Sequence, residues 1–159
     1  MTTRPETAPG TDLVPPQLRR LKQRAEFLFV AQGISAARGA VVVQMRPRPG
    51  APADQAGIGF TATKKVGGAV VRNRAKRRMR EAARALLPQL GRGGCDYVFV
   101  ARIGAGERPW ARFLDDVRGA LVSLAAGGDG PRPPRKPPRQ ARSQPASPQP
   151  SEPGPTSAR

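Results

Sequence analysis

Between Lys64 and Arg84 the chain reads KKVGGAVVRNRAKRRMREAAR, nine Lys or Arg against a single acid, Glu81. Guanidinium forks grip phosphate oxygens in pairs, and lysines add mobile point charges. At about 3.6 residues per turn, Val71, Ala75, Met79, Ala82 and Leu86 share one apolar stripe. Arg72, Asn73, Lys76, Arg77, Arg80 and Arg84 fall on the adjoining face, while Arg74 and Arg78 carry the charge round the back. The bland alternative is a solvated helix face, but such faces mix signs. Clustered arginines without acids at i±4 repel one another, so the isolated fold gains nothing from them. An external polyanion does. Lys64, Lys65 and a Val-Gly-Gly hinge lead into the helix N-terminus, where free N–H groups also favour anions.

Protein-based catalysis has little to work with. The chain has no histidine, and Cys95 is its only cysteine, which removes every Ser/His/Asp, Cys/His or His-ligated metal arrangement and any intramolecular disulfide. The acids stand singly except for Asp115 and Asp116, and adjacent residues on a helix do not share a face. No catalytic residue and no metal site is expected in the protein.

The chain has 159 residues and a net charge of +17. Residues 127–159 contain no Val, Ile, Leu, Met or aromatic residue, so a disordered Pro/Arg-rich tail is expected there. With six basic and two acidic residues, the tail is expected to add a phosphate contact. The remaining +13 belongs to residues 1–126, of which 1–16 read as a flexible, Pro-rich extension and 17–126 as the folded domain. The partner is a polyanion: RNA, DNA or an anionic membrane. A membrane partner needs an apolar span of about 20 residues or large apolar anchors opposite the charge, and neither is present. No apolar h-region opens the chain, and a cytoplasmic location is expected.

The elements that position the basic run follow from periodicity. Gln17 to Gln32 carries Leu18, Leu21, Ala25, Leu28 and Phe29 at helical spacing, with Gly33 as its stop. Ala40 to Met45 reads as a strand, Arg46 to Gln55 as a Pro-rich loop, and Gly57 to Thr63 as a second strand pairing with the first in a hairpin. The basic helix spans Val70 to Leu87 and stops near Pro88. After a turn at 91–94, Asp96 to Ala101 reads as a buried central strand with Cys95 packed at its head. A closing helix from Arg108 to Leu124 places Phe113, Val117, Ala120, Leu121 and Leu124 on one face, with Trp110 near its start. The expected class is α+β, a small mixed sheet packed with helices in the order α-β-β-(β)-α-β-α.

The run GFTATKKVGGAVVRNRAKRRMR from Gly59 to Arg80 resembles the signature of the bacterial ribonuclease P protein subunit. Arg72, Asn73 and Arg74 match its Arg-Asn-Arg triplet, and Lys76, Arg77 and Arg80 match its basic continuation. RLKQRAEF from Arg20 to Phe27 resembles the family's first helix and CDYVFVAR from Cys95 to Arg102 its last core strand. The resemblance covers Leu18 to Ala126.

It implies a left-handed βαβ crossover, of the kind seen in a domain of a small-subunit ribosomal protein, where the general rule for parallel crossovers would predict the right hand. The family usually has four strands, so a further one is expected around Arg46 to Gln55 or Lys64 to Gly67. It further implies a non-catalytic protein subunit of an endoribonuclease. A catalytic RNA with bound Mg2+ removes the 5′ leader of precursor tRNA, and the protein itself binds no cofactor. By the same resemblance, Lys64, Lys65, Arg72, Asn73, Arg74, Lys76, Arg77, Arg78, Arg80 and Arg84 contact RNA, while Phe27 and Phe60 line a cleft for the single-stranded leader. Phe27 as ordinary core is the bland alternative. The partners implied are the catalytic RNA and precursor tRNA, with no membrane and no required protein partner. Ala31 and Val43 stand about where other members carry cleft aromatics, Ala75 replaces a bulkier apolar residue, and Arg78 adds a charge where the pattern is usually apolar. Two further classes fit the composition: a structural RNA-binding protein or RNA chaperone of ribosomal type, and a protein endonuclease using Asp115, Asp116, Glu81 or Asp96.

Overall fold

The computed structural model describes residues 15–129. In chain order these form β1 (Gln17–Arg20), α1 (Arg24–Ala31), β2 (Ile34–Arg38), β3 (Val41–Pro47), β4 (Gln55–Ala62), a 3-10 turn (Lys64–Val66), α2 (Ala69–Leu90), β5 (Cys95–Ala101) and α3 (Trp110–Ala125). The five strands make one mixed sheet in the order β1-β4-β5-β3-β2. β1, β4 and β5 run parallel, whereas β3 is antiparallel to both β5 and β2. The class is α+β, as the sequence suggests, and α2 is the crossover between the parallel neighbours β4 and β5.

β5 sits at the centre because every one of its seven residues is buried, the pattern of a strand covered on both faces. This corrects the expected hairpin, since β3 and β4 both pair with β5 and not with each other. The burial demand of CDYVFVA outranks adjacency in the chain. Two strands escape the sequence pattern. β1 occupies the start of the segment read as helix; Leu18 packs toward the core under α2 and α3, whereas Leu21 packs on the opposite face. β2, ISAAR, has little β-branched character of its own and exists through its ladder to β3. The further strand is therefore in neither place expected: 46–55 holds only the ends of β3 and β4, and Lys64–Val66 is a 3-10 turn.

The larger core lies between one sheet face and α2 with α3, built on Met79, Leu87, Tyr97, Phe99, Phe113 and Leu121. Burying each such side chain stabilises the fold by about 1.5–3 kcal/mol. On the other face α1 rests on β3 and β5, over a smaller cluster of Leu21, Val30, Val98 and Val100. The stripe expected for α1 is also displaced, because Val30 is its buried residue and Leu28 is exposed.

Both ends of the basic helix are set locally. Gly67, at φ +144°, joins the 3-10 turn to α2, a conformation L side chains rarely adopt. At the other end the helix runs through Pro88 to Leu90. Proline removes one helical bond in the last turn, and the Gly91 N–H still reaches the Leu87 carbonyl at 2.8 Å, so the expected stop at Pro88 is a weakening rather than an end. The expected tail boundary moves as well. Asp129 donates its N–H to the Ser35 carbonyl at 2.8 Å and accepts the Ala37 N–H at 2.9 Å, so residues 127–129 belong to the fold and the rest of the expected tail lies outside the described residues.

Candidate nucleic-acid interface

α2 buries Ala75, Met79, Ala82, Ala83, Leu86 and Leu87, close to the expected stripe, with Val71 half-buried at its margin. This orientation distributes the cations in three ways. Asn73, Arg74, Arg77 and Arg84 are exposed on the crest, as are Lys64 and Lys65 in the turn before it. Arg72, Lys76 and Arg80 are half-buried along the other flank, where Arg80 lies 5.8 Å over the Phe60 ring. Among the described residues, Arg77 alone on this helix has a carboxylate within 4.0 Å, its i+4 neighbour Glu81.

Arg78 is set apart from the other expected contacts. Its Nη1 donates to the Ala105 carbonyl at 2.8 Å and its Nη2 to the Arg108 carbonyl, with the guanidinium 5.0 Å over Phe113 and 5.6 Å over Trp110. Burial pushes its pKa down and the nearby charge of Arg74 adds to this. The guanidinium is committed to holding the 102–109 loop and α3 onto α2.

The two expected cleft aromatics do not share a face. Phe27 lies across β4 on the α1 side, so close that a Cβ on Gly59 would stand 2.6 Å from its Cε1. Phe60 points to the opposite face and stacks on Phe99 with centroids 5.5 Å apart, because β4 residues alternate and Phe60 follows Ile58 and Ala62 into the larger core. Val43 likewise is fully buried in that core; its neighbour Val42 faces α1. The α1 side thus presents Phe27, Phe29, Val42 and Val100, and Arg46 clamps α1 there by donating to the Phe29 carbonyl at 3.1 Å and lying 4.1 Å over the Phe29 ring.

Of the four acids considered for catalysis, Asp116 and Asp96 have structural partners. Asp116 pairs with Arg108 Nε at 2.5 Å and accepts the Ala40 N–H at 3.1 Å, while Asp115 is exposed. Asp96 is buried beside Arg48 at 3.5 Å. Among the described residues, no three His, Cys, Asp or Glu are grouped to hold a metal ion. Cys95 is packed, and burial pushes its thiol pKa up. Sequence reasoning missed the roles of Trp110, Arg46 and Asp116; for Trp110 the signal was a lone large aromatic at a helix start that its own stripe did not use.

Fold and site together define a class: a small α+β protein that presents one basic helix, with a single carboxylate neighbour among the described residues, beside a partly open sheet face. The family description "Ribonuclease P" matches residues 16–125. The chain is 56% identical over 113 residues to the ribonuclease P protein component of Caulobacter vibrioides, covering 71% of this chain and 75% of that one. It is 48% identical over 107 residues to that of Ruegeria pomeroyi, covering 67% and 86%. A mutant RNase P protein of Staphylococcus aureus superposes with a TM-score of 0.58 at 25% identity, covering 67% of this chain and 87% of that structure. The chain belongs to the ribonuclease P protein component family. No helix among the described residues is long and apolar enough to cross a membrane.

Proposed function

We propose that the chain is the RNA-binding subunit of ribonuclease P. It binds the catalytic RNA through the crest of α2 and the single-stranded 5′ leader of precursor tRNA on the sheet face beside α1, and so assists removal of the leader to give the mature 5′ end. The observation that carries this reading is the crest itself: Arg74 and Arg84, with Lys64 and Lys65, face solvent with no carboxylate within 4.0 Å among the described residues. Such charge is stabilised by phosphates, and no carboxylate among the described residues offsets it. On the other face Phe27, half-buried over Gly59, offers a ring for a leader base.

Mg2+ and the hydrolytic chemistry belong, in this reading, to the RNA. Among the described residues no three His, Cys, Asp or Glu are grouped to hold a metal ion, and Asp116 is engaged by Arg108 and the Ala40 N–H. The reading places the chain in the cytoplasm, where tRNA precursors are processed.

The test is precursor-tRNA cleavage by the host's catalytic RNA at low Mg2+, with and without the protein, with ends mapped to the nucleotide. Cleavage at the mature 5′ end that needs both components is the expected result. Tight RNA binding without stimulation would turn the reading to a structural RNA-binding protein, and cleavage by RNA-free protein would turn it to a protein endonuclease.

A further inference from the structure

The crest of α2 includes a feature that charge alone does not require. Between α2 and the start of α3 lies an open groove of about 640 Å³ with Trp110 as one wall and Val70, Asn73, Arg74 and Arg77 along the other. Trp110 is 40% exposed and Val70 72%. Singly exposed apolar residues are ordinary, but these two line one concavity. The indole is held in place: Phe113 stacks on it with centroids 6.0 Å apart and planes 21° apart, and Arg78, which also lines the groove, lies 5.6 Å from the ring. So fixed, the ring is a plate that needs no ordering when something stacks on it.

The rim is chemically matched to that plate. Arg74 and Arg77 are exposed cations, and the Asn73 amide both donates and accepts. Glu81, also in the groove and 4.0 Å from Arg77, leaves the Arg74 end the more positive. An acidic peptide would satisfy the cations and leave the indole bare. A base-paired duplex would satisfy them too, but its bases are already stacked. An unpaired nucleotide uses both.

We propose that this groove receives one unpaired RNA nucleobase, stacked on Trp110 with its edge against Asn73 and a flanking phosphate on Arg74. The inference rests on the reading of α2 as an RNA-binding face and specifies a subsite on it.

Trp110 is the only tryptophan of the chain, so its emission reports the groove directly. The full chain is titrated with octaadenylate, with an abasic ribose-phosphate octamer of the same charge, and with a polyglutamate peptide, binding being followed separately by anisotropy. The expected result is saturable quenching by octaadenylate, with the abasic octamer binding through charge but leaving the emission unchanged. Trp110→Ala should weaken octaadenylate about fivefold or more, Trp110→Phe should retain most of the affinity, and neither should change abasic binding. Equal affinity for both octamers with unchanged emission overturns the proposal, as does polyglutamate quenching as strongly as octaadenylate. Failure of both octamers to bind removes the RNA-binding reading itself, and the groove with it. Separate titrations with the catalytic RNA and with precursor tRNA identify the source of the base, and quenching by neither overturns the proposal. The wild-type emission needs no variant, so it stays decisive even where Trp110→Ala misfolds.

Discussion

Arg78 and Phe113 form a cation-π pair at 5.0 Å that fastens α2 to α3, while Arg77, one residue earlier, is exposed and has only Glu81 at 4.0 Å. Neighbouring arginines of one run thus serve different ends, one the fold and the other the surface.

Their substitutions should separate accordingly. Arg78→Ala leaves the carbonyls of Ala105 and Arg108 without their donor, and is expected to cost about 2 kcal/mol. Arg77→Ala should change stability by less than about 0.5 kcal/mol and lower the salt slope of RNA affinity by about 0.7. Urea unfolding and RNA titrations across salt concentrations measure the two quantities. Equal loss of stability in both variants would refute the division.

Glu26 makes the fold sensitive to acid. Its carboxylate accepts the N–H of Gln23 at 3.0 Å and of Lys22 at 2.8 Å and pairs with Arg19 at 2.5 Å. The backbone bonds come first, and with Arg19 they outweigh burial and lower its pKa from 4.5 to about 2. A depressed carboxylate contributes stability that is present above the ordinary value and is lost as pH falls through the folded value. Glu26→Gln should therefore cost about 1 kcal/mol at pH 7, the size of a helix-capping loss, and progressively less as pH falls from the ordinary carboxylate value through the folded one, about 2. Urea midpoints of both proteins across this range should converge; a gap of constant size would show that the charge is not the cause.

The same residues show what a sequence reveals. The stripe on α2 was legible because Ala75, Met79, Ala82 and Leu86 keep a helical period whatever surrounds them. β1 and β2 were not, because neither QLRR nor ISAAR favours a strand by itself and each becomes one only through a ladder to a distant segment. The face of Phe60 was legible in the alternation with Ile58 and Ala62, whereas the family resemblance alone placed it with Phe27. The internal use of Arg78 required knowing that the 102–109 loop returns to α2, a contact no local pattern encodes.

The two phenylalanines should respond in opposite ways. Phe27→Ala is expected to weaken binding of a leader oligonucleotide about fivefold or more, the loss of one stacked base. Gly59→Ala should act in the same direction with the aromatic retained, because its Cβ would stand 2.6 Å from Phe27 Cε1 and must displace the ring. Phe60→Ala removes the stack on Phe99 and should cost about 2 kcal/mol or more of stability, with leader affinity of the folded protein unchanged. A larger affinity loss from Phe60→Ala than from Phe27→Ala would move the leader off the α1 face.

Asp129 ties the chain after α3 to the edge of the sheet. β2 is an edge strand, and Asp129 covers part of that edge by donating to the Ser35 carbonyl and accepting the Ala37 N–H, while its carboxylate meets Arg38 at 3.1 Å. The Ala37 bond and then Arg38 hold its pKa down, so its contribution is present above the usual carboxylate pKa and lost as pH falls through the lowered value. A chain ending at Ala126 should unfold at lower urea than one ending at Asp129, and the gap should narrow in acid and at high salt. The cut after Asp129 is then the clean test of RNA binding by residues 130–159. It should reduce the salt slope of RNA affinity by about 0.7 for each phosphate those residues neutralise, with the urea midpoint unchanged, and an unaltered slope would show that they neutralise none.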